Sequence, residues 1–313
     1  MFNLIIGGSG FVGRRLSKNL LERGEEVLVL DIDVWKNAPR QTQEKFGVIE
    51  TIYPTNLNWS QDCISRIKFK KNIRIWHLAA NSDIAKASKD FEIDYDLTLG
   101  STLEVLKVAS EIDCISIEFT SSSAVYGNRI GSARFLEEDL LMPISNYGNM
   151  KLSSEILIRI FSNKNKVPYH IHRLANIVGP DMTHGLIFDL VNKIKRNRNE
   201  LHVLGDGKQR KTYMHVDDLV HSMIEVSKMP ESLLMNTGPS DDGVTVSEVV
   251  TLLLQELDLE PIVHFETKPE GWHGDVVNSV MDTSRMRKLL NFQPRSSRVS
   301  VEAAIKSRVL EVS

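Results

Sequence analysis

The 313-residue chain predicts an α/β fold, a doubly wound parallel sheet followed by a smaller C-terminal α/β lid. Three observations predict it: short apolar runs alternate with longer amphipathic stretches, a glycine-rich segment joins the first run to the first such stretch, and the alternation loosens after Gly179-Pro180. The apolar runs at 3–6, 26–30, 47–52, 73–78, 116–120 and 169–174 predict strands buried on both faces. Between them, residues 12–22, 95–110 and 147–161 repeat apolar side chains at spacings of three and four, the period of a helix with one buried face. Beyond Pro180, residues 187–195 and 246–257 predict helices, and 201–204 and 262–265 short strands between turns. The expected division is a first domain of residues 1–178, with a returning segment at about 213–240, and a second of 179–212 and 241–313. With no repeat, low-complexity segment or long linker, the lid is expected to pack directly on the sheet.

A composition of 42% hydrophobic and 25% charged residues is that of an ordinary globular chain with ample core. The net charge of -3, with Lys and Arg scattered, argues against nucleic acid or an anionic membrane as partner and favours a small molecule. No apolar run approaches the roughly 20 residues needed to cross a bilayer, and a strand is expected to start at Phe2 with no leader before it. Cys63 and Cys114 offer neither metal-ligand spacing nor a disulfide framework, so no metal and a reducing, cytoplasmic address are expected.

Gly7-Gly8-Ser9-Gly10-Phe11-Val12-Gly13 falls where the first strand ends and the first helix begins. Glycines there let the backbone turn sharply and let a pyrophosphate approach the helix N-terminal amides, the arrangement of a Rossmann-type dinucleotide site. Asp31 closes the next strand 18 residues after Gly13 (31 − 13), near the place of a ribose-binding acid. Its carboxylate suits the 2′ and 3′ hydroxyls and repels a 2′-phosphate, so NAD is favoured over NADP.

Tyr147 and Lys151 stand four apart on a predicted helix, hence on one face. A free phenol has a pKa of about 10, and roughly one in a thousand is ionised at neutral pH. One ammonium about 4 Å away, at an effective dielectric near 20, contributes roughly 4 kcal/mol. That would lower the phenol pKa by about 3, into the range of a working general base. Ser121, Ser122 and Ser123 follow the strand ending at Thr120, at the carboxyl end where open α/β sheets place ligands.

The glycine spacing resembles that of the short-chain dehydrogenase/reductase superfamily, and the rest of the chain is similar to its extended branch, the NAD-dependent epimerase/dehydratase enzymes of nucleotide sugars. The likeness runs through His77-Leu78-Ala79-Ala80-Asn81, Ser121 to Gly127, Tyr147 to Lys151, Arg173-Leu174-Ala175-Asn176, Gly179-Pro180, Gly205-Asp206-Gly207 and Val216-Asp217-Asp218. The resemblance implies catalysis by Tyr147, Lys151 and Ser122, the serine four residues before Tyr126. It implies NAD contacts from Gly7, Gly10, Phe11, Val12, Gly13, Asp31, Asn56, Leu57, Leu78, Ala79, Ala80, Asn81, Thr120, Tyr147, Lys151 and Leu174. His77 reads better as a packed strand-end histidine.

For the substrate, the resemblance implies a nucleoside-diphosphate sugar touched by Ser122, Ser123, Tyr147, Asn176, Lys211 and Trp272. Two phosphate-binding arginines of the family fall on Lys211 and Trp272 here, with Arg210 the nearest replacement. Lysine keeps the charge without bidentate geometry, and tryptophan can stack on a base or sugar. Dehydratases of the family carry Asp and Glu where this chain has Ser123 and Ala124, which disfavours elimination of water. The activity expected is 4-epimerisation through a 4-keto sugar, with a C4 dehydrogenase or 4-keto reductase as alternative and a noncatalytic NAD sensor behind them. The resemblance also implies a homodimer through a four-helix bundle of the helices at 95–110 and 147–161.

Overall fold

The computed structural model describes residues 1–32, 50–52, 59–81, 91–128 and 134–310. Strand β1 (Phe2–Ile6) opens the sheet and leads through the glycine turn into helix α1 (Phe11–Glu22). Then come β2 (Glu26–Leu30), β3 (Glu50–Ile52), α2 (Ser60–Ile67) and β4 (Ile73–His77). A short helix α3 (Phe91–Asp94) continues through a π-helical stretch, Tyr95–Gly100, into α4 (Ser101–Glu111). Strand β5 (Cys114–Ser122), α5 (Asn146–Asn165) and β6 (Tyr169–Leu174) complete this half. The predicted strand at 47–52 is seen from Glu50, and its first three residues lie outside the described part.

After β7 (Asn176–Val178) the chain forms α6 (Leu186–Arg196), β8 (Glu200–Val203), β9 (Arg210–Lys211), β10 (Tyr213–His215) and α7 (Val216–Val226). Strand β11 (Leu233–Thr237) follows, and the chain ends with β12 (Val244–Thr245), α8 (Val246–Leu257), β13 (Ile262–Phe265), β14 (Asn278–Ser279), α9 (Ser284–Leu290) and α10 (Ser297–Leu310).

Among the described residues the main sheet has seven strands in the order β11-β6-β5-β4-β1-β2-β3, every pair parallel. Alternate residues of β1 explain why helices cover both faces: Ile5 packs with Leu16 and Leu20 of α1 and Leu219 and Met223 of α7. Leu4 and Ile6 point the other way, to Cys63 and Ile67 of α2, Val105 and Val108 of α4 and Ile158 of α5. The seventh strand was not expected as such from the sequence. Leu233 to Thr237 mixes Asn236 and Thr237 into a short run, yet all five residues pair in register with His170 to Leu174.

The lid has its own core, in which Leu201 and Val203 of β8, Leu190 and Ile194 of α6, Val249 and Leu253 of α8 and Val301 and Ile305 of α10 are buried together. Helix α8 starts at a full capping box: Thr245 Oγ1 accepts the Glu248 amide and the Glu248 carboxylate accepts the Thr245 amide.

Candidate active site

The carboxyl ends of β1 and β4 meet at the glycine turn, and β5 ends on the far side of β4. Gly7 has φ +85°, and a Cβ there would sit 2.7 Å from the Ala79 amide nitrogen, so β1 and β4 approach too closely for a side chain. At Gly13 a Cβ would come within 2.4 Å of the Gly7 carbonyl oxygen and 2.5 Å of Gly8 Cα. Gly10 N-caps α1 without any side-chain cap, leaving the first-turn amides and the positive end of the dipole to an anion. The Asp31 carboxylate accepts the Ser9 amide at 2.8 Å, tying the turn to the end of β2. Buried Ser9 Oγ has no partner among the described residues. An uncapped helix start, a glycine turn, an acid beside it and an orphaned hydroxyl fit a dinucleotide pyrophosphate and ribose.

Other predicted cofactor residues are distributed around this cradle. Leu78, Ala79 and Ala80 are half-buried at the end of β4, and Leu174 lies beside Ser122 in the β5–β6 register. Val12 packs on the α1 side of the sheet, whereas Phe11 packs against the lid core. Asn81 is a latch: its amide Nδ2 donates to Asp94 at 2.8 Å and its backbone to Thr98 Oγ1 at 3.2 Å, fixing the loop after β4 to the π-helical stretch. His77 is fully buried with Nε2 2.8 Å from Thr102 Oγ1, the packed histidine expected. Asn56 and Leu57 lie outside the described residues.

Ser122, Tyr147, Lys151 and Thr120 are brought together. Ser122 ends β5 and N-caps a single turn of 3-10 helix, Ser123–Val125, its Oγ accepting the Ala124 amide at 3.2 Å. Tyr147 is in the first turn of α5, whose N-cap Ser145 accepts the Gly148 amide. One turn later Lys151, buried, sends Nζ to the Thr120 carbonyl at 2.7 Å. That ammonium lies 4.7 Å from the Phe119 ring centre and 5.8 Å from the Tyr147 ring centre.

The expected depression of the phenol pKa is not what the chain produces. Burial pushes Tyr147 up to about 12, with a hydrogen bond to Ser122 pulling the other way and the Asp94 charge adding to the rise. Burial also drags Lys151 down to about 7, against the attraction of Glu155. The reason is desolvation: the cation meant to activate the phenol is itself buried and only about half charged at neutral pH.

In the lid, Lys211 Nζ donates to the buried Asp275 carboxylate at 2.5 Å and lies 5.0 Å from the Trp272 ring centre. Asn176 bonds the carbonyl of Thr212, the residue next to Lys211, at 3.2 Å. Ser123 Oγ reaches Ser279 Oγ of β14 at 3.4 Å. Arg210 does not replace Lys211: neighbours on a strand face opposite ways, and its guanidinium goes to the Gly243 carbonyl at 3.1 Å and toward Glu248.

Sequence reasoning missed what holds α5 in place. Glu155, one turn after Lys151, accepts from Ser121 Oγ at 2.5 Å and receives Arg173 Nε and Nη2 at 3.0 and 2.8 Å, a bidentate pair. Arg173 Nη1 also donates to the Tyr126 hydroxyl at 3.0 Å, and that hydroxyl to Asn236 at 2.6 Å. An acid continuing the buried Tyr147–Lys151 face of a helix was the available signal.

Such a site on such a sheet is that of an extended short-chain dehydrogenase/reductase, an enzyme that works with NAD. The chain belongs to the NAD dependent epimerase/dehydratase family, whose model matches residues 3–237. It is 24% identical to the UDP-glucuronate 4-epimerase of Thermodesulfobacterium geofontis, across 98% of this chain and 95% of that one. It is also 24% identical to the dTDP-4-dehydro-6-deoxyglucose reductase of Escherichia coli, across 93% and 92%. A crystal structure of UDP-galactose 4-epimerase superposes over the full length of both chains with a TM-score of 0.84 and 26% identity.

Proposed function

We propose that the chain is an NAD-dependent nucleotide-sugar 4-epimerase, and the observation that carries this is the meeting of Ser122, Tyr147 and Lys151 at the end of β5. Bound NAD supplies the acceptor, and later the donor, of the sugar C4 hydride. Tyr147 takes the proton of the C4 hydroxyl as the hydride leaves, and Ser122 orients that hydroxyl and steadies the proton. Lys151, held by the Thr120 carbonyl, favours the ionised phenol and holds the nicotinamide ribose hydroxyls. The 4-keto sugar then turns and receives the hydride on its other face, Tyr147 returning the proton. Ser123 and Ala124 supply no carboxylate, so these two positions offer elimination neither acid nor base.

In this reading the amides after Gly10 receive the pyrophosphate and Asp31 the adenosine ribose. Asn176, Lys211 and Trp272 hold the sugar nucleotide, with the Trp272 indole N–H, buried and unpartnered among the described residues, as a donor to it. A C4 reductase is the second reading, favoured by the likeness to the dTDP-4-dehydro-6-deoxyglucose reductase. Incubation with UDP-, GDP-, TDP- and CDP-sugars, without added cofactor and followed by NMR, should show inversion at C4 with unchanged nicotinamide absorbance. A stoichiometric change in NADH, with a keto sugar formed or consumed, would replace the epimerase by the dehydrogenase or reductase.

The α4 and α5 surface supports a homodimer: Tyr95, Leu103, Ile156 and Ile160 are exposed on adjacent helical segments, an apolar face suited to a second copy in a four-helix bundle. No helix among the described residues is long and apolar enough to cross a membrane, and both cysteines are free, which suits the reducing cytoplasm. Light scattering on protein from the cytoplasmic fraction should give twice the mass of one chain. A monomer mass removes the bundle, and recovery from another fraction removes the address.

A further inference from the structure

The geometry points to a binding site for a divalent transition metal, zinc foremost, on the exposed face of the β8–β13 ribbon, with Glu200, His202 and His264 as ligands. Parallel pairing sets His202 directly opposite His264, and Glu200 opposite Ile262. Glu200 and His202 are two apart on β8 and so share a face, while Leu201 and Val203 between and beyond them are buried in the lid core. The two imidazoles lie 4.6 Å apart, centre to centre, with their planes only 13° from parallel. Glu200 Oε2 is 3.7 Å from His202 Nε2. One ligand atom from each of the three residues lies within 4.8 Å of the others.

Tetrahedral zinc with bonds of about 2.1 Å holds its donors about 3.4 Å apart. The present spacing therefore has to close by little more than about 1 Å, within reach of side-chain rotation on an exposed face. The backbone beneath is already fixed: the Ile262 amide donates to the Asn199 carbonyl at 2.9 Å, and Lys193 Nζ to the His202 carbonyl at 2.9 Å. Two imidazoles and one carboxylate form the donor set of a zinc site with a fourth position open to water. The set is poor for magnesium or calcium, which take mainly oxygen ligands.

The ion would clamp two strands that feed one turn. Strand β13 runs into Glu266, whose amide donates to the Gly205 carbonyl at 2.9 Å and whose carboxylate accepts the Gly205 amide at 3.3 Å. From Gly205 the chain turns through Gln209 to Lys211. The site shares no residue with Ser122, Tyr147 and Lys151, and it is a site of the lid in its own right. It was invisible in the sequence because its third donor comes 62 residues after the second (264 − 202).

Calorimetric titration of ZnCl2 into the full chain, freed of any histidine tag and of chelators, tests this. The expected result is one zinc per chain with micromolar affinity, weakened about tenfold or more by His202→Asn and by His264→Gln, and a higher melting temperature with zinc in the unsubstituted protein alone. These side chains are exposed, so both variants should keep the native circular dichroism. Absence of saturable zinc binding overturns the proposal. So does binding that survives both substitutions, which places the ion elsewhere, or MgCl2 binding as tightly at the same residues.

Discussion

Tyr147→Phe should lower kcat by about 10²–10⁴ while leaving NAD bound, the loss expected when a positioned general base is removed. Only the hydroxyl disappears: the ring stays on α5, Ser122 keeps its bond to the Ala124 amide, and Lys151 keeps its bond to the Thr120 carbonyl. With the phenol pushed up to about 12, roughly one molecule in 100,000 would carry phenolate at pH 7. A group whose pKa lies above the working pH gains its reactive form as pH rises, so the chemical step should quicken tenfold per unit until the operating pKa is passed. The phenylalanine variant should lose that slope along with the rate. Steady-state turnover across pH, beside an NAD titration, checks both. Activity within threefold of the unsubstituted protein would remove Tyr147 from the mechanism.

Glu155→Ala should cost about 3–5 kcal/mol of stability, because it leaves the buried Arg173 guanidinium without its carboxylate. For a chain of this length that is a fall in melting temperature of about 5–8 °C. Arg173 keeps the Tyr126 hydroxyl and the Glu137 carbonyl, neither of which balances its charge. The same substitution removes the attraction that holds the Lys151 pKa up. Lys151 should then be less protonated at neutral pH, and activity should decline even well below the melting transition. Glu155→Gln, which preserves shape and one acceptor, should fall between the two. A melting temperature within 1 °C of the parent for Glu155→Ala would show that Arg173 finds its balance elsewhere.

Most of the sheet and the two ends of its site were legible because their signals are consecutive in the chain. The glycine turn, the serines after β5 and the Tyr147–Lys151 spacing each sit within one strand–helix junction. What escaped was assembled across distance: Arg173 meets Glu155 across a helix and a strand, Lys211 meets Asp275 from 64 residues away, and β11 joins an edge that its short, partly polar run does not announce. The electrostatics escaped for another reason. Spacing puts Lys151 on the face of Tyr147, but only packing shows that burial pushes the phenol pKa up and the ammonium pKa down.

Strand β11 also sets a timetable for the newborn chain. Its partner β6 ends at Leu174, and β11 does not end until Thr237, 63 residues later (237 − 174). At about 5–20 residues per second on the ribosome, β6 waits roughly 3–13 s with one side unpaired. During that interval its exposed amides and carbonyls are open to any other nascent strand. Completion of the sheet is thus a late event in synthesis, and the interval is set by the lid segment and helix α7 threaded between the two strands.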